Sequence, residues 1–150
     1  MNDLELRFRH RVPVRFRDID LGGHAHHSVA LMYFEEARAA YWRDVVGRPR
    51  LEDIDYILAE ATVRYRQRVL YPDLLDVGVG VVRLGKKHFE MAYEVRSSSG
   101  EVLVTGRSIQ VMYDYAAGRS MRMPDEMRAR IQAFEGAGLE GPDADGAGAS

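Results

Sequence analysis

The stretch Phe16-Arg17-Asp18-Ile19-Asp20-Leu21-Gly22-Gly23-His24-Ala25-His26-His27-Ser28 decides how this chain is organised, and Tyr33-Phe34-Glu35-Glu36-Ala37-Arg38 follows it closely. A strand-like run ends at two carboxylates, a glycine turn with three histidines comes next, and an apolar helical pattern then begins. This order places a carboxylate beside the N-terminus of a helix, where backbone N–H groups are unpaired. A base or nucleophile next to free N–H donors is what the cleavage of an acyl compound requires.

The composition excludes several classes of protein. A chain of 150 residues fits one domain, and Lys+Arg 21 against Asp+Glu 23 argues against a nucleic-acid partner bound by bulk positive charge. The absence of Cys excludes a disulfide scaffold, a thiol nucleophile and a zinc–thiolate site. The N-terminal residues lack the apolar core of a signal peptide, and no apolar run approaches the length of a membrane span. We therefore expect a cytoplasmic protein with no membrane partner.

Apolar periodicity predicts one long helix among strands. Phe8–Phe16 alternates with its even positions inward, Phe16 included, and Pro13 places this strand near a sheet edge. Ser28–Val46 has helical spacing and is apolar enough to be largely enclosed, and Gly47 and Pro49 end it. Further strands are predicted at Ile54–Arg66, Leu75–Val82, Phe89–Val95 and Leu103–Tyr113.

The ends of the predicted domain follow from turn and composition signals. Short connections at Leu84–Lys87 and Ser97–Gly100 make the strands on either side antiparallel neighbours. Pro124 opens a short helix that runs to about Phe134. The pattern therefore predicts an α+β domain over residues 1–135, with a sheet around one long helix, and a disordered Gly/Ala-rich tail over residues 136–150.

The segment from Asp20 to Arg38 resembles hotdog-fold acyl-CoA thioesterases of the 4-hydroxybenzoyl-CoA thioesterase and YbgC-like family. In that family Asp-x-x-Gly leads into the central helix, and Tyr/Phe-x-Glu-x-Ala-Arg follows on the helix, as Asp20–Gly23 and Tyr33–Arg38 do here. Tyr65 and Tyr71-Pro72-Asp73 also match the family's entry to the third strand. The resemblance covers roughly residues 8–134 and implies an antiparallel sheet wrapped around one central helix.

The resemblance implies that Asp20 and His27 are catalytic. The family's matching aspartate lies beside the thioester and either attacks the carbonyl or activates a water. His27 falls at the predicted helix N-terminus, where its backbone N–H would stabilise an oxyanion; its side chain could orient the carboxylate or transfer a proton. Without the resemblance, Asp18 and Asp20 also fit simple turn and cap residues. We assign catalysis to Asp20 and a turn or hydrogen-bonding role to Asp18.

The other two histidines are candidate substrate-binding residues. His24 matches the Gly-His of the family's fatty-acyl branch, but His26 and His27 stand where that branch has Asn-Asn. The YbgC-like branch has a His at the position of His27, so the chain combines two branch signatures. Asp18, Asp20 and the three histidines are also metal-ligand types. Their spacing lacks the paired i, i+4 histidines of a helical zinc site, and we expect no metal.

Lys86 and Lys87 are the only lysines of the chain, and they are adjacent on a predicted hairpin. In the family a basic cluster at this hairpin contacts coenzyme A phosphates, typically from the neighbouring subunit, whereas an isolated lysine pair is more often a solvated turn. A second basic stripe is expected near the same end of the site as the lysine hairpin, formed by Arg64, Arg66 and Arg68. Glu35 and Glu36 are expected to form an i, i+3 ion pair with Arg38 on the helix or a polar contact across the subunit interface.

The sequence thus predicts a hydrolase that splits acyl-CoA into a carboxylic acid and coenzyme A. Coenzyme A is part of the substrate, and no separate cofactor is expected. A hotdog hydratase or dehydratase is one alternative, although those enzymes carry Asn-Pro where this chain has Leu21-Gly22-Gly23. A non-catalytic acyl-CoA binding protein is another, although it would not need Asp20. The family's site is completed across a homodimer, so we expect a homodimer or a homotetramer.

Overall fold

The computed structural model describes residues 5–140. Six strands and two α-helices follow one another along this part of the chain: β1 Phe8–Pro13, α1 Val29–Tyr41, β2 Tyr56–Tyr65, β3 Leu74–Leu84, β4 His88–Arg96, β5 Val102–Asp114, β6 Arg119–Ser120 and α2 Asp125–Glu135. The strands form one sheet in the order β1-β3-β4-β5-β2, with the short β6 paired to β5. Every pairing is antiparallel, and the short connections correctly predicted those of β3 with β4 and of β4 with β5. Strand β1 pairs only with β3 and is an edge strand, which confirms the position that Pro13 indicated.

Helix α1 packs against one face of this sheet and forms the core with it. Its inward residues include Phe34, whose ring stacks on Tyr93 of β4 with the ring centroids 4.3 Å apart. A Cβ at Gly106 of β5 would lie 2.5 Å from the Phe34 ring, so only glycine lets the helix approach the sheet this closely. The helix ends in a π-helical turn at Trp42–Val46, and Gly47 follows in the left-handed region with φ 86°.

Two parts of the apolar pattern do not lie where the sequence predicted. The helix is less enclosed than expected, because Leu31 is 42% and Met32 55% exposed. Phe16 was expected to face the core, but it is 77% exposed. The strand ends at Pro13, and Phe16 begins a 3-10 turn that carries its ring away from the sheet. Periodicity alone could not place this end of the strand.

Strand β2 is the most exposed long strand of the sheet. It pairs with β5 along one side, and within residues 5–140 its other side has no strand partner. Ile57 and Leu58 are neighbours with opposite side-chain directions, yet they are 42% and 46% exposed. An apolar strand open on an edge and on both faces is suited to an interface with another chain.

Residues 136–140, which were expected to belong to a disordered tail, instead pack on the sheet. Gly136–Gly138 forms a 3-10 turn, and the Glu140 carboxylate accepts hydrogen bonds from Arg83 and Arg107, both at 2.9 Å. Gly/Ala content suggested a tail here, but the ion pairs and the Glu140 N–H to Val82 carbonyl bond of 2.6 Å hold the segment on the sheet. Residues 141–150 of the predicted tail lie outside the described residues. No helix within residues 5–140 is long and apolar enough to cross a bilayer.

Candidate active site

A tight hairpin between β1 and α1 carries Asp20. Ile19 and Ala25 form an antiparallel bridge, and the Asp20 carbonyl accepts a bond of 3.1 Å from the Gly23 N–H. Gly23 has φ 84°, a conformation that glycine adopts without strain. The Gly22 N–H donates to Asp20 Oδ1 at 2.8 Å, whereas Oδ2 has no protein donor among residues 5–140. The turn therefore fixes one oxygen of this half-buried carboxylate and leaves the other available to a ligand or water.

Asp18, the other carboxylate of the segment, has a different role. Its Oδ2 accepts hydrogen bonds from the Arg15 N–H at 2.9 Å and from the Tyr33 hydroxyl at 3.0 Å. Burial, together with the neighbouring Asp18 carboxylate, raises the pKa of the Tyr33 phenol well above its usual value. Asp18 thus ties the turn to helix α1, which confirms the hydrogen-bonding role assigned to it.

The start of α1 presents histidines around an uncapped helix end. The Ser28 N–H donates to His26 Nδ1 at 3.1 Å, and the Ser28 hydroxyl lies 2.8 Å from the same nitrogen. Because Nδ1 accepts a backbone hydrogen bond, a neutral His26 carries its proton on Nε2. The rings of His26 and His27 lie against each other with centroids 4.0 Å apart.

His27 contributes its backbone to this site. The Tyr65 hydroxyl at the end of β2 donates to the His27 carbonyl at 2.5 Å. No acceptor contacts the His27 N–H among residues 5–140, so that N–H remains a free donor at the positive end of the helix dipole. The sequence indicated Tyr65 as a strand residue and as part of the family resemblance, but nothing local indicated that it holds the helix start.

Asp20, His24, His26 and His27 all line one pocket of about 330 Å³. The structure therefore brings together the candidates that the sequence placed in this segment. The remainder of the lining comes from the helix, the end of β2, the segment after it and β5: Ala25, Ala30, Tyr33, Tyr65, Arg66, Gln67, Arg68, Val69 and Val104. Within residues 5–140 no three His, Asp or Glu side chains are placed to share a metal ion.

Lys86 and Lys87 lie at the opposite end of the sheet. The Lys87 carbonyl accepts a bond of 2.7 Å from the Met112 N–H, whereas the pocket meets the same strand at Val104. Eight residues of extended strand separate these points by roughly 25 Å. Both side chains are exposed on their hairpin, so in one chain they are too far away to contact a group bound beside Asp20.

Two expectations about the arginines are wrong. Arg66 and Arg68 line the Asp20 pocket and lie away from the Lys86–Lys87 hairpin, because β2 runs antiparallel to β5 and ends beside Val104. Arg38 does not pair with the helix glutamates: its guanidinium points inward and donates to the hydroxyls of Tyr93 at 2.9 Å and Tyr56 at 3.3 Å. Glu36 lies 3.6 Å from Arg15 instead.

The strand order, the central helix and the pocket at its N-terminus define the class of hotdog-fold thioesterases. Residues 14–131 match the model of the thioesterase-like superfamily, and the chain belongs to that superfamily. A thioesterase from Thermus thermophilus, solved with coenzyme A and Zn, is 36% identical; the match covers 85% of this chain and 93% of that one with a TM-score of 0.78.

More distant relatives are found both by structure and by sequence. The DHNA-CoA thioesterase of Staphylococcus aureus is 21% identical, covers 89% of this chain and 95% of its own, and superposes with a TM-score of 0.76. The protein YsmA of Bacillus subtilis is 24% identical over 124 residues, which are 83% of this chain and 84% of that protein. Family membership and fold together support thioester hydrolysis as the general activity.

Proposed function

We propose that this protein hydrolyses acyl-CoA thioesters, with Asp20 as the reacting carboxylate. One pocket carries the proposal, because Asp20 and His27 both line it. Asp20 is a half-buried carboxylate with an unoccupied oxygen, and His27 has a free N–H at the start of the helix. The coenzyme A in the 36% identical thioesterase from Thermus supports a coenzyme A thioester as the substrate. The match of Asp20–Gly23 to the 4-hydroxybenzoyl-CoA and YbgC-like family supports the choice of residue.

The chemistry needs a carboxylate and an oxyanion donor. Asp20 either removes a proton from water as the water attacks the thioester carbon, or attacks that carbon itself to form an anhydride that water then opens. In both routes the carbonyl oxygen gains negative charge, which the His27 N–H and the helix dipole stabilise. The C–S bond then breaks and coenzyme A leaves as the thiolate. We assign contact with the bound thioester to His24 and to the Nε2–H of His26, because both residues line the pocket.

The test is hydrolysis of a panel of acyl-CoAs with short, medium, long and aromatic acyl groups, followed by thiol release. Asp20→Asn keeps the shape of the residue and removes its function as base or nucleophile, so kcat should fall about 100-fold or more. Activity of Asp20→Asn within a few-fold of the wild type would overturn the assignment. Binding of acyl-CoA without any thiol release by the wild type would identify a non-catalytic acyl-CoA binding protein.

We propose further that the working unit is a homodimer, alone or as half of a homotetramer. Strand β2 offers the unpaired edge and exposed apolar faces that a second copy would cover. Antiparallel pairing of two β2 strands would bring the lysine hairpin of one chain toward the Asp20 pocket of the other, which accounts for their wide separation in a single chain. Sedimentation that shows a stable and active monomer at micromolar concentration would exclude this assembly.

A mixing experiment tests whether the lysines act across the dimer. Asp20→Asn chains would be combined with Lys86→Ala/Lys87→Ala chains and allowed to exchange subunits. If the lysines serve the partner's pocket, each mixed dimer contains one intact site, and about a quarter of the wild-type kcat/KM should return. If they serve their own chain, mixing restores nothing beyond the average of the two parents.

A further inference from the structure

One side chain of the sheet is hydrogen-bonded to the start of helix α1. The Tyr65 hydroxyl donates to the His27 carbonyl at 2.5 Å, although the two residues are 38 positions apart in sequence. Tyr65 is 53% exposed and lines the pocket that contains Asp20 and His27. The hydrogen bond therefore joins the wall of this pocket to the helix start.

Tyr65 itself is held in place by the sheet. It is the last residue of β2, and it pairs with Val104 of β5. The N–H groups of the next two residues, Arg66 and Gln67, both donate to the Leu103 carbonyl, at 2.8 and 3.1 Å. The backbone on both sides of Tyr65 is thus tied to β5. A hydroxyl carried on a paired strand keeps its position more exactly than one carried on a loop.

The two peptide units that meet at His27 are held at three of their four polar groups. The unit after His27 is held on both sides, because its carbonyl accepts from Tyr65 and its N–H, from Ser28, donates to His26 Nδ1 at 3.1 Å. In the unit before His27, the His26 carbonyl accepts from the Val29 N–H at 3.0 Å. In the part of the chain that the structure describes, only the His27 N–H of this group has no partner.

These contacts matter because an oxyanion donor works through its direction. An N–H stabilises a tetrahedral intermediate only if it points at the oxygen on which charge develops. The first residues of a helix lack the intrahelical bonds that would fix such a direction. A single exposed hydrogen bond adds little to stability, whereas a misdirected donor costs a large part of the rate. The bond from Tyr65 is therefore suited to a role in positioning.

We propose that Tyr65 is a positioning residue that directs the His27 N–H toward the thioester oxygen. It acts through the His27 carbonyl, and its hydroxyl proton is donated to the protein and not to the substrate. The inference rests on the proposed thioester hydrolysis and adds a residue from the sheet to a site that otherwise consists of the Asp20 turn and the helix start.

Tyr65→Phe tests the proposal, because it keeps the ring and removes only the hydroxyl. The kcat should fall about tenfold while KM stays within about twofold, since the bond serves a donor that acts in the transition state. Trifluoroacetonyl-CoA, whose hydrated carbon resembles the tetrahedral intermediate, should bind more weakly by about the same factor. Coenzyme A alone should bind as it does to the wild type.

Tyr115→Phe is the matched control. Tyr115 is 59% exposed, and its hydroxyl donates to the Tyr56 carbonyl at 2.9 Å, so the variant loses the same kind of bond at the other end of β2. Tyr115 does not line the Asp20 pocket of its own chain. Thermal unfolding should show similar losses of stability in Tyr65→Phe and Tyr115→Phe, but only Tyr65→Phe should lose kcat. Sedimentation would verify that both variants keep the assembly of the wild type.

The outcomes separate this inference from the proposed function. A kcat of Tyr65→Phe within about twofold of the wild type, or an equal loss in Tyr115→Phe, would overturn the positioning role. A raised KM with unchanged kcat would show that the hydroxyl binds substrate instead. Full activity of Asp20→Asn would remove the assignment of Asp20 and leave these comparisons valid.

Amide hydrogen exchange gives a readout that does not require hydrolysis. If the wild type releases no thiol, the Ser28 and Val29 N–H groups should still exchange faster in Tyr65→Phe than in the wild type, because the helix start has lost a contact. Tyr115→Phe should leave their exchange unchanged. Equal exchange in Tyr65→Phe and the wild type would show that the hydroxyl does not hold the helix start, and the inference would fail.

Discussion

Two polar clusters contact helix α1, and they use their hydrogen bonds differently. The open cluster, at the helix start, consists of Asp20, His26, His27 and Ser28, and it leaves a carboxylate oxygen and an N–H without protein partners among residues 5–140. The sealed cluster lies between helix α1 and the sheet, and its hydrogen bonds link Arg38, Tyr56, Tyr93, Ser108 and Gln110. The first cluster has free hydrogen-bonding capacity for a ligand, and the second satisfies its own members. The comparison predicts that changes in the open cluster affect activity and changes in the sealed cluster affect stability.

Arg38→Ala should have the largest effect on stability. It removes a side chain that is 7% exposed and leaves the hydroxyl groups of Tyr56 and Tyr93 without this donor. We expect the free energy of unfolding to fall by about 3 kcal/mol. Urea unfolding measures this change, and Arg38→Lys, which keeps the charge but not the two-way geometry, should lose less.

The same variant tests the separation of the clusters. The kcat of the folded fraction of Arg38→Ala should stay within a few-fold of the wild type, because Arg38 does not line the Asp20 pocket. A 100-fold loss of kcat with unchanged unfolding would show that the two clusters act together.

Lys86→Ala/Lys87→Ala should raise KM for acyl-CoA about tenfold and change kcat little, because contacts to coenzyme A phosphates serve ground and transition state alike. The defect should shrink at high salt. An acyl-N-acetylcysteamine thioester has no phosphates and is the matched control substrate. Equal losses on both substrates would place the lysines in the fold or the chemistry, and no loss on either would leave them as a solvated turn.

Asp18→Asn should have a smaller effect that is visible mainly in stability. The amide oxygen can still accept a hydrogen bond, but it loses the charge that strengthens the bonds from Arg15 N–H and Tyr33. We expect about 1 kcal/mol less stability and a change of kcat of no more than a few-fold. If Asp18→Asn lowered kcat as much as Asp20→Asn, the assignment of the two carboxylates would be reversed.

The smallest expected effect is on the pH dependence of stability, and it comes from Glu135. This residue is 4% exposed and accepts hydrogen bonds from the Tyr41 hydroxyl at 2.6 Å and the Val81 N–H at 3.0 Å. Burial raises the pKa of this carboxyl above its ordinary value, although Tyr41, Val81 N–H and Arg7 oppose the shift. The folded state therefore holds this proton more tightly than the unfolded state does. The resulting stability is present below the unfolded pKa and is lost as pH rises through the folded pKa.

Glu135→Gln makes this contribution independent of pH. Thermal unfolding of wild type and variant across pH 4 to 8 should give curves whose difference changes in the mildly acidic range and is flat above it. A difference that increases in favour of the wild type as pH rises would contradict the direction of the shift.

The sequence predicted elements whose pattern is local. The apolar period of residues 28–46 predicted helix α1, and Asp20, His24, His26 and His27 lie within eight residues of sequence and line one pocket. The direction of Arg38 was not predictable, because its partners Tyr56 and Tyr93 lie on strands distant in sequence. The separation of the arginine stripe from the lysines depends on the strand order, which no local pattern contains.

Strand β3 is longer than the strand that protects its edge. Pairing with β1 stops at Val79, and beyond it the Val81 N–H is taken by the Glu135 carboxylate and the Val82 carbonyl by the Glu140 N–H. Residues 135–140 thus cover part of the β3 edge, which would otherwise be free to pair with a strand of another molecule. A chain shortened into this segment would expose that edge. We expect such molecules to associate with one another while folded, with helix α1 and the Asp20 pocket still intact.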